Sequence, residues 1–170
     1  MKTLATLIQA LVTQFETQKT KNVLEVESLF TSYNNDDWRN FMTKEDGKFK
    51  NTILFQNQQF KLILIHWDGK QKSKKHGHPQ GGGLIKVLSG TLSETRFDPK
   101  DKEKVIGKHY YFKGSGTSYI HDDIAYHVVE NPSVTPAISL HLYAAGVDVS
   151  DTLPRQQEVN LVKVKLKAVG

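Results

Sequence analysis

Two histidines with one residue between them, His76 and His78, open the segment HGHPQGGGLIKVLSG that runs to Gly90. Side chains of an extended strand alternate from face to face, so in a β-strand both imidazoles project the same way and can reach one metal ion. Imidazole nitrogen suits iron, zinc, copper and nickel alike, and the ligand type leaves the metal open. The chain has no cysteine, which excludes disulfides and thiolate ligands; a metal here must rest on histidine, carboxylate or water oxygen. An isolated H-x-H pair is as often an ordinary surface or core feature as a metal site.

The elements that must hold these residues change character along the chain. Leu4, Leu7, Ile8, Leu11, Val12 and Phe15 recur at helical spacing, interrupted by Gln9, Gln14 and Glu16, and predict an amphipathic helix rather than a leader peptide. Asn22 with Glu25 three residues on reads as a capping pair for a second helix over VLEVESLFTSY, and Asn35 as the cap of a short third, DDWRNFM. From about residue 51 onward the pattern becomes short β-rich runs between turns: NTILF, QFKLILIHW, LIKVL, TLSETRF, KHYYF, TSYI, YHVVE, PAISLHLY and VNLVKVKL. Many short strands after a helical preface, with no alternation of strand and helix, predict a barrel or jelly roll with helices packed outside. The length of 170 residues fits one domain, with a helical segment over 1–45 and a barrel over 50–167.

Composition narrows the function further. A formal charge of +5 raises the possibility of nucleic acid, but the lysines are scattered rather than interleaved with aromatics, so no nucleic-acid partner is expected. Lys70, Lys72, Lys74 and Lys75 read as a solvated loop ahead of His76. No run is long enough to span a membrane, and the absence of cysteine favours a reducing, cytoplasmic setting. A monomer is expected.

The H-x-H pair, its glycine-rich turn and the apolar run closed by Gly90 resemble the first metal motif of the cupin barrels, with Gly83 where a glutamate ligand usually stands. In GTSYIHDDIAYHVVEN, Gly116 is followed eleven residues later by His127 and four after that by Asn131, the spacing of the second cupin motif, although Asp122 and Ile124 replace its proline and glycine. Together with LATLIQALVTQF, FKLILIHW, LIKVLSGTLSETRFD and YIHDDIAYHVVENPSVTPAISLHLY, these motifs resemble the cysteine dioxygenase family of thiol dioxygenases from about Leu4 to about Asp148. The resemblance implies an all-β cupin fold, a double-stranded β-helix or jelly-roll barrel with N-terminal α-helices outside.

It implies a chemistry as well. His76, His78 and His127 are the expected ligands of iron(II), and a small thiol with dioxygen the expected reactants. Tyr143 matches the family's active-site tyrosine, with His141 and Ser139 as the residues that orient it. The family's thioether between that tyrosine and a cysteine is not expected, because Gly83 stands at the cysteine position. The carboxylate-binding arginine falls on Lys50, a point charge in place of a planar fork, and a second substrate-side tyrosine falls on Lys48. Arg155 is the other candidate clamp. His66, His109 and His121 are expected to be structural. The expected reaction is oxidation of L-cysteine to its sulfinic acid. The alternatives are a dioxygenase of another thiol carboxylate such as 3-mercaptopropionate, a metal-binding cupin acting as sensor or isomerase, and a purely structural metal.

Overall fold

The computed structural model describes residues 2–45 and 47–144. The N-terminal helix α1 (Leu4–Thr17) begins where the side chain of Thr3 accepts the Thr6 N–H, and it buries Leu4, Leu7, Ile8, Leu11, Val12 and Phe15. Asn22 and Glu25 form the expected capping box, but the turn they start, Val23–Val26, is a 3₁₀ turn that passes into a short helix α2 (Glu27–Thr31). Val23 and Val26 are both buried, and a 3₁₀ turn sets residues i and i+3 above one another on one face. A third short helical turn, Asp37–Phe41, is also 3₁₀, with the side chain of Asn35 accepting the Asp37 N–H. Asp37 joins the helices, taking the Leu4 N–H on one oxygen and the Tyr33 hydroxyl on the other.

A small pair not expected from the sequence, β1 (Thr43–Glu45) and β2 (Lys48–Lys50), follows the helices. Its segment, TKEDGKFK, has almost no apolar alternation, and it brings strand structure into the end of the segment expected to be helical. The remaining strands are β3 (Thr52–Gln56), β4 (Phe60–Trp67), β5 (Gly83–Ser89), β6 (Thr91–Phe97), β7 (Val105–Phe112), β8 (Thr117–Ile120), β9 (Tyr126–Glu130) and β10 (Ala137–Ala144). These match the expected runs, apart from VNLVKVKL, which lies outside the described residues.

All pairings are antiparallel, in a five-stranded sheet ordered β3-β4-β10-β5-β8 and a three-stranded sheet ordered β7-β6-β9. Gly90, at φ +75°, turns the chain from β5 into β6 and so from one sheet to the other; its Cα lies so close to Ala137 that a Cβ would collide.

The five-stranded sheet is covered on both sides. Leu62, Leu64, Leu84, Leu88, Ile138, Leu140 and Leu142 share one apolar cluster with the α1 residues. Ile63, Ile65, Trp67, Ile85, Val87 and Tyr143 belong to a second cluster, inside the barrel, with Leu92 and Val129 of the other sheet. Strand β10 is buried along its whole length, so the polar face of Ser139, His141 and Tyr143 is an interior lining and not a wet side. Lys86, on the helix side of β5, turns its ammonium to the Thr31 carbonyl and to Asn34 Oδ1, a cation at the end of α2. Among the described residues no helix is long and apolar enough to cross a membrane.

Candidate metal centre

The H-x-H segment is extended but is not part of a ladder. His76 makes a single antiparallel bridge to His127 on β9, each donating its backbone N–H to the other's carbonyl, at 3.1 and 3.2 Å. That bridge docks the segment across the open edge of the three-stranded sheet and aims all three rings at one point. His127 Nε2 lies 2.9 Å from His78 Nε2 and 3.0 Å from His76 Nε2, and all three residues are buried.

The outer nitrogens decide which protons the inner ones carry. His127 Nδ1 has Glu94 Oε1 at 2.6 Å, and His76 Nδ1 has the Lys74 carbonyl at 2.9 Å. A carbonyl only accepts, so His76 is protonated on Nδ1; an ionised carboxylate holds the His127 proton the same way. Two lone pairs then face each other at 3.0 Å, an arrangement that needs a cation between them. Metal–nitrogen bonds of about 2.0–2.1 Å at right angles put ligand nitrogens about 2.8–3.0 Å apart, whereas a tetrahedral angle needs about 3.3 Å. The two observed separations each fit a cis pair on one divalent ion, with His127 common to both, and these residues are the one group of three or more histidines or carboxylates with ligand atoms close enough for a metal among the described residues.

Burial keeps the His76 and His78 rings neutral. It lowers the pKa of His76 to about 4, with the neighbouring His127 adding to the effect, and pushes His78 further down. Burial would raise the Glu94 carboxyl, but the His127 hydrogen bond, the Arg96 charge and the Ser118 hydroxyl together hold it down to about 2. Glu94 was not anticipated. The signal was present in TLSETRF, where alternation sends Glu94 inward with Leu92, an orientation a strand gives a carboxylate only when something inside receives it.

Beside the histidines, the strand β10 carries a hydrogen-bonded row. Trp67 Nε1 donates to Ser139 Oγ at 2.8 Å, Ser139 Oγ lies 2.8 Å from His141 Nε2, and His141 Nδ1 lies 2.9 Å from Tyr143 Oη. Trp67 can only donate, so the proton of Ser139 goes to His141 Nε2. His141 then carries its proton on Nδ1 and donates it to Tyr143 Oη, leaving the phenolic proton for whatever lies next to it. Burial lowers His141 to about 3 and raises Tyr143 above the usual phenol range, so the row is neutral at neutral pH. The Tyr143 ring lies 6.4 Å from that of His78, centroid to centroid. Trp67, at the head of the row, is a second residue that sequence reasoning left out; an indole looks like core until its N–H is followed.

Gly83 pairs with Tyr143 across β5 and β10, and a Cβ at this position would come within 2.9 Å of the tyrosine ring and 3.4 Å of His78. Position 83 itself puts no side chain between the ring and His78. Lys50 ends β2, next to Asn51, whose side chain takes the His66 N–H of β4; Arg155 lies outside the described residues. His66 sits 3.7 Å from Asp68, and His121 holds the Gln80 carbonyl at 2.6 Å, both consistent with structural roles. Lys70 and Lys75 are tied to the carbonyls of Pro132 and Lys102.

A two-sheet antiparallel barrel with three inward histidines at one point is a metal-binding cupin. The sequence profile of the cysteine dioxygenase type I family matches residues 1–154. Cysteine dioxygenase type 1 of Homo sapiens is 33% identical over 154 residues, 86% of this chain and 76% of that protein. Its counterpart from Danio rerio is 33% identical over 151 residues, 84% of this chain and 75% of the relative. In three dimensions the TT1209 protein of Thermus thermophilus matches with a TM-score of 0.52 over 66% of this chain and 98% of that one, at 18% identity, a likeness of fold. The chain belongs to the cysteine dioxygenase type I family and is a cysteine dioxygenase-like enzyme with a three-histidine metal site.

Two outcomes test the centre. Replacing His127 by Ala removes the ligand that both others face, and the purified variant should lose most of its metal by elemental analysis; full occupancy would refute the assignment. For the metal-free protein, stability should fall as pH drops from about 6.5 toward 4, because the unfolded chain takes up protons that the buried rings of His76, His78 and His141 refuse. Glu94, held at about 2, adds to the fall only toward the lower end of that window, where its carboxyl protonates in the unfolded chain, so the drop between about 6.5 and 5 belongs to the rings. A thermal midpoint that is flat across it would show that these rings are not held neutral.

Proposed function

We propose that the enzyme is an iron(II)-dependent dioxygenase that converts L-cysteine to its sulfinic acid, RSH + O2 → RSO2H, with both oxygen atoms going to sulfur. The observation that carries this reading is the meeting of three buried imidazoles beside a buried tyrosine whose proton is free to point at them, in a chain of this family. His76, His78 and His127 would hold the ion, and iron(II) bound there would supply the electrons that let dioxygen attack a thiolate. Gly83 leaves the ligand set without a carboxylate, so the substrate thiolate brings the negative charge instead. The Tyr143 hydroxyl, kept protonated by burial and oriented by His141 and Ser139, would donate to the substrate and hold or return its proton.

Lys50 is the proposed partner of the substrate carboxylate, with Arg155 as the alternative. We take residues 1–170 as one domain and the protein as a cytoplasmic monomer; the absence of cysteine supports that compartment. Metal analysis paired with thiol-dependent oxygen uptake, run with cysteine and with 3-mercaptopropionate, separates this reading from a cupin that holds metal without oxygen chemistry.

Tyr143→Phe keeps the ring and removes the hydroxyl; turnover should fall by about one to two orders of magnitude if the hydroxyl donates in the transition state. Intact mass should equal that of the unmodified sequence before and after turnover, since position 83 offers no sulfur. Unchanged turnover in the phenylalanine variant would exclude the role.

A charge-assisted contact to the carboxylate is worth about 1.5–3 kcal/mol, roughly a ten- to hundredfold change in kcat/KM. Lys50→Met should therefore impair cysteine by that factor and leave cysteamine, which has no carboxylate, almost untouched. Equal effects on the two thiols, or none on either, would move the clamp elsewhere, and Arg155→Met is then the variant to assay.

A further inference from the structure

Two of the three histidine rings have an oxygen behind them: Glu94 Oε1 at 2.6 Å for His127 and the Lys74 carbonyl at 2.9 Å for His76. His78 differs. Its Nδ1 is buried with no hydrogen-bond partner, and Asp122 Oδ1 lies 3.6 Å away. That same oxygen accepts the backbone N–H of His78 at 2.5 Å, so the carboxylate is anchored to the residue whose ring it does not quite reach. Gly77 makes the approach possible, since a Cβ there would fall 2.5 and 2.7 Å from the two carboxylate oxygens.

The side chain of His78 is fully enclosed while that of Asp122 is 38% exposed, so the carboxylate has room to turn and the ring has little. Rotation about the terminal torsion of an aspartate is soft, and a buried ring N–H left without an acceptor is unfavourable. The charges point the same way. Three neutral imidazoles leave a dication uncompensated, and Arg96, 3.1 Å from Glu94, already answers part of that carboxylate's charge. Among the described residues Asp122 is the other anion within reach of a ligand ring.

We propose that Asp122 is the positioning residue of His78, its carboxylate taking the Nδ1 proton of the ring when Nε2 is drawn to a divalent cation. The inference rests on the three-histidine metal reading and adds to it. Each ligand then has an acceptor that fixes its tautomer and makes its inner nitrogen a better donor. One motif therefore supplies two parts of the centre, His127 as a ligand and Asp122 as the support of the ligand opposite.

The test titrates metal-free protein with Co(II) against a competing chelator for the wild type, Asp122→Ala and Asp122→Asn. Each metal-free form is melted, and each Co(II) form gives a proton spectrum in which the ring N–H signals of the bound histidines are shifted clear of the rest. Asp122→Ala should bind Co(II) about ten- to hundredfold more weakly and lose the His78 N–H signal to exchange with water. Asp122→Asn keeps an oxygen for the His78 backbone and should recover part of the affinity. A lower melting temperature with Co(II) affinity and all three signals unchanged would mean that Asp122 only clamps the backbone, and would overturn the proposal. If Asp122→Ala does not fold, Gly77→Ala, which pushes the carboxylate aside without altering it, should weaken Co(II) binding about tenfold, and unchanged binding there overturns the proposal equally. A wild-type protein that fails to bind Co(II) would instead remove the metal reading beneath it.

Discussion

The hydrogen bond between Glu94 and His127, 2.6 Å long in the closed interior of the barrel, is the contact on which the centre depends. A carboxylate with almost no exposure survives only if its oxygens are fully engaged, and these are. One oxygen takes His127; the other takes Ser118 Oγ, Tyr111 Oη and Arg96 Nε. The donors come from β6, β7 and β9 of one sheet and from β8 of the other. Arg96 extends the connection to the Tyr119 carbonyl. The group that sets the tautomer of a ligand is therefore also the polar bolt between the two sheets, and the barrel cannot spread here without stranding a buried charge.

The apolar residues divide the work by face. On β4, β5 and β10 leucines mostly look outward to α1, where a flexible branched chain fills the uneven surface of a helix. Isoleucine and valine dominate the inward side, where stiff β-branched chains leave a walled space around the histidines and Tyr143. The dry wall is what lowers His76 and His141 and raises Tyr143; the same side chains in a wet cleft would titrate near their ordinary values. Packing and electrostatics are one design here, since the apolar lining sets the protonation states on which the hydrogen-bond row and the ligand set both rely.

Much of this was legible in the sequence, and the reason is periodicity. Helix α1, the long strands and the shared face of Ser139, His141 and Tyr143 follow from spacings that burial enforces, and the histidine separations followed the cupin motifs. What escaped was set by contacts between segments distant in the chain. The 3₁₀ winding of Val23–Val26 answers to what the valines pack against, and β1 with β2 is a backbone pairing with no side-chain pattern to announce it. Glu94 looks like one more surface glutamate until His127, 33 residues on, is placed against it. Asp122 stood out only as a departure from a motif, with nothing in the sequence to say that it lies over Gly77 and His78.

Gly83 shows how one missing side chain shapes the electrostatics of the rest. Its Cα lies against Tyr143 and His78, so any larger residue must either move the tyrosine ring or enter the ligand sphere. A glutamate there would bring a charge to the metal and make a thiolate an unneeded second anion. With glycine, the three nitrogens carry no charge and the nearest carboxylates sit one ring away, behind His127 and beside His78. A metal ion held there would favour an anionic ligand over a neutral one, and a thiol that ionised on binding would both complete the charge and present the sulfur to be oxidised.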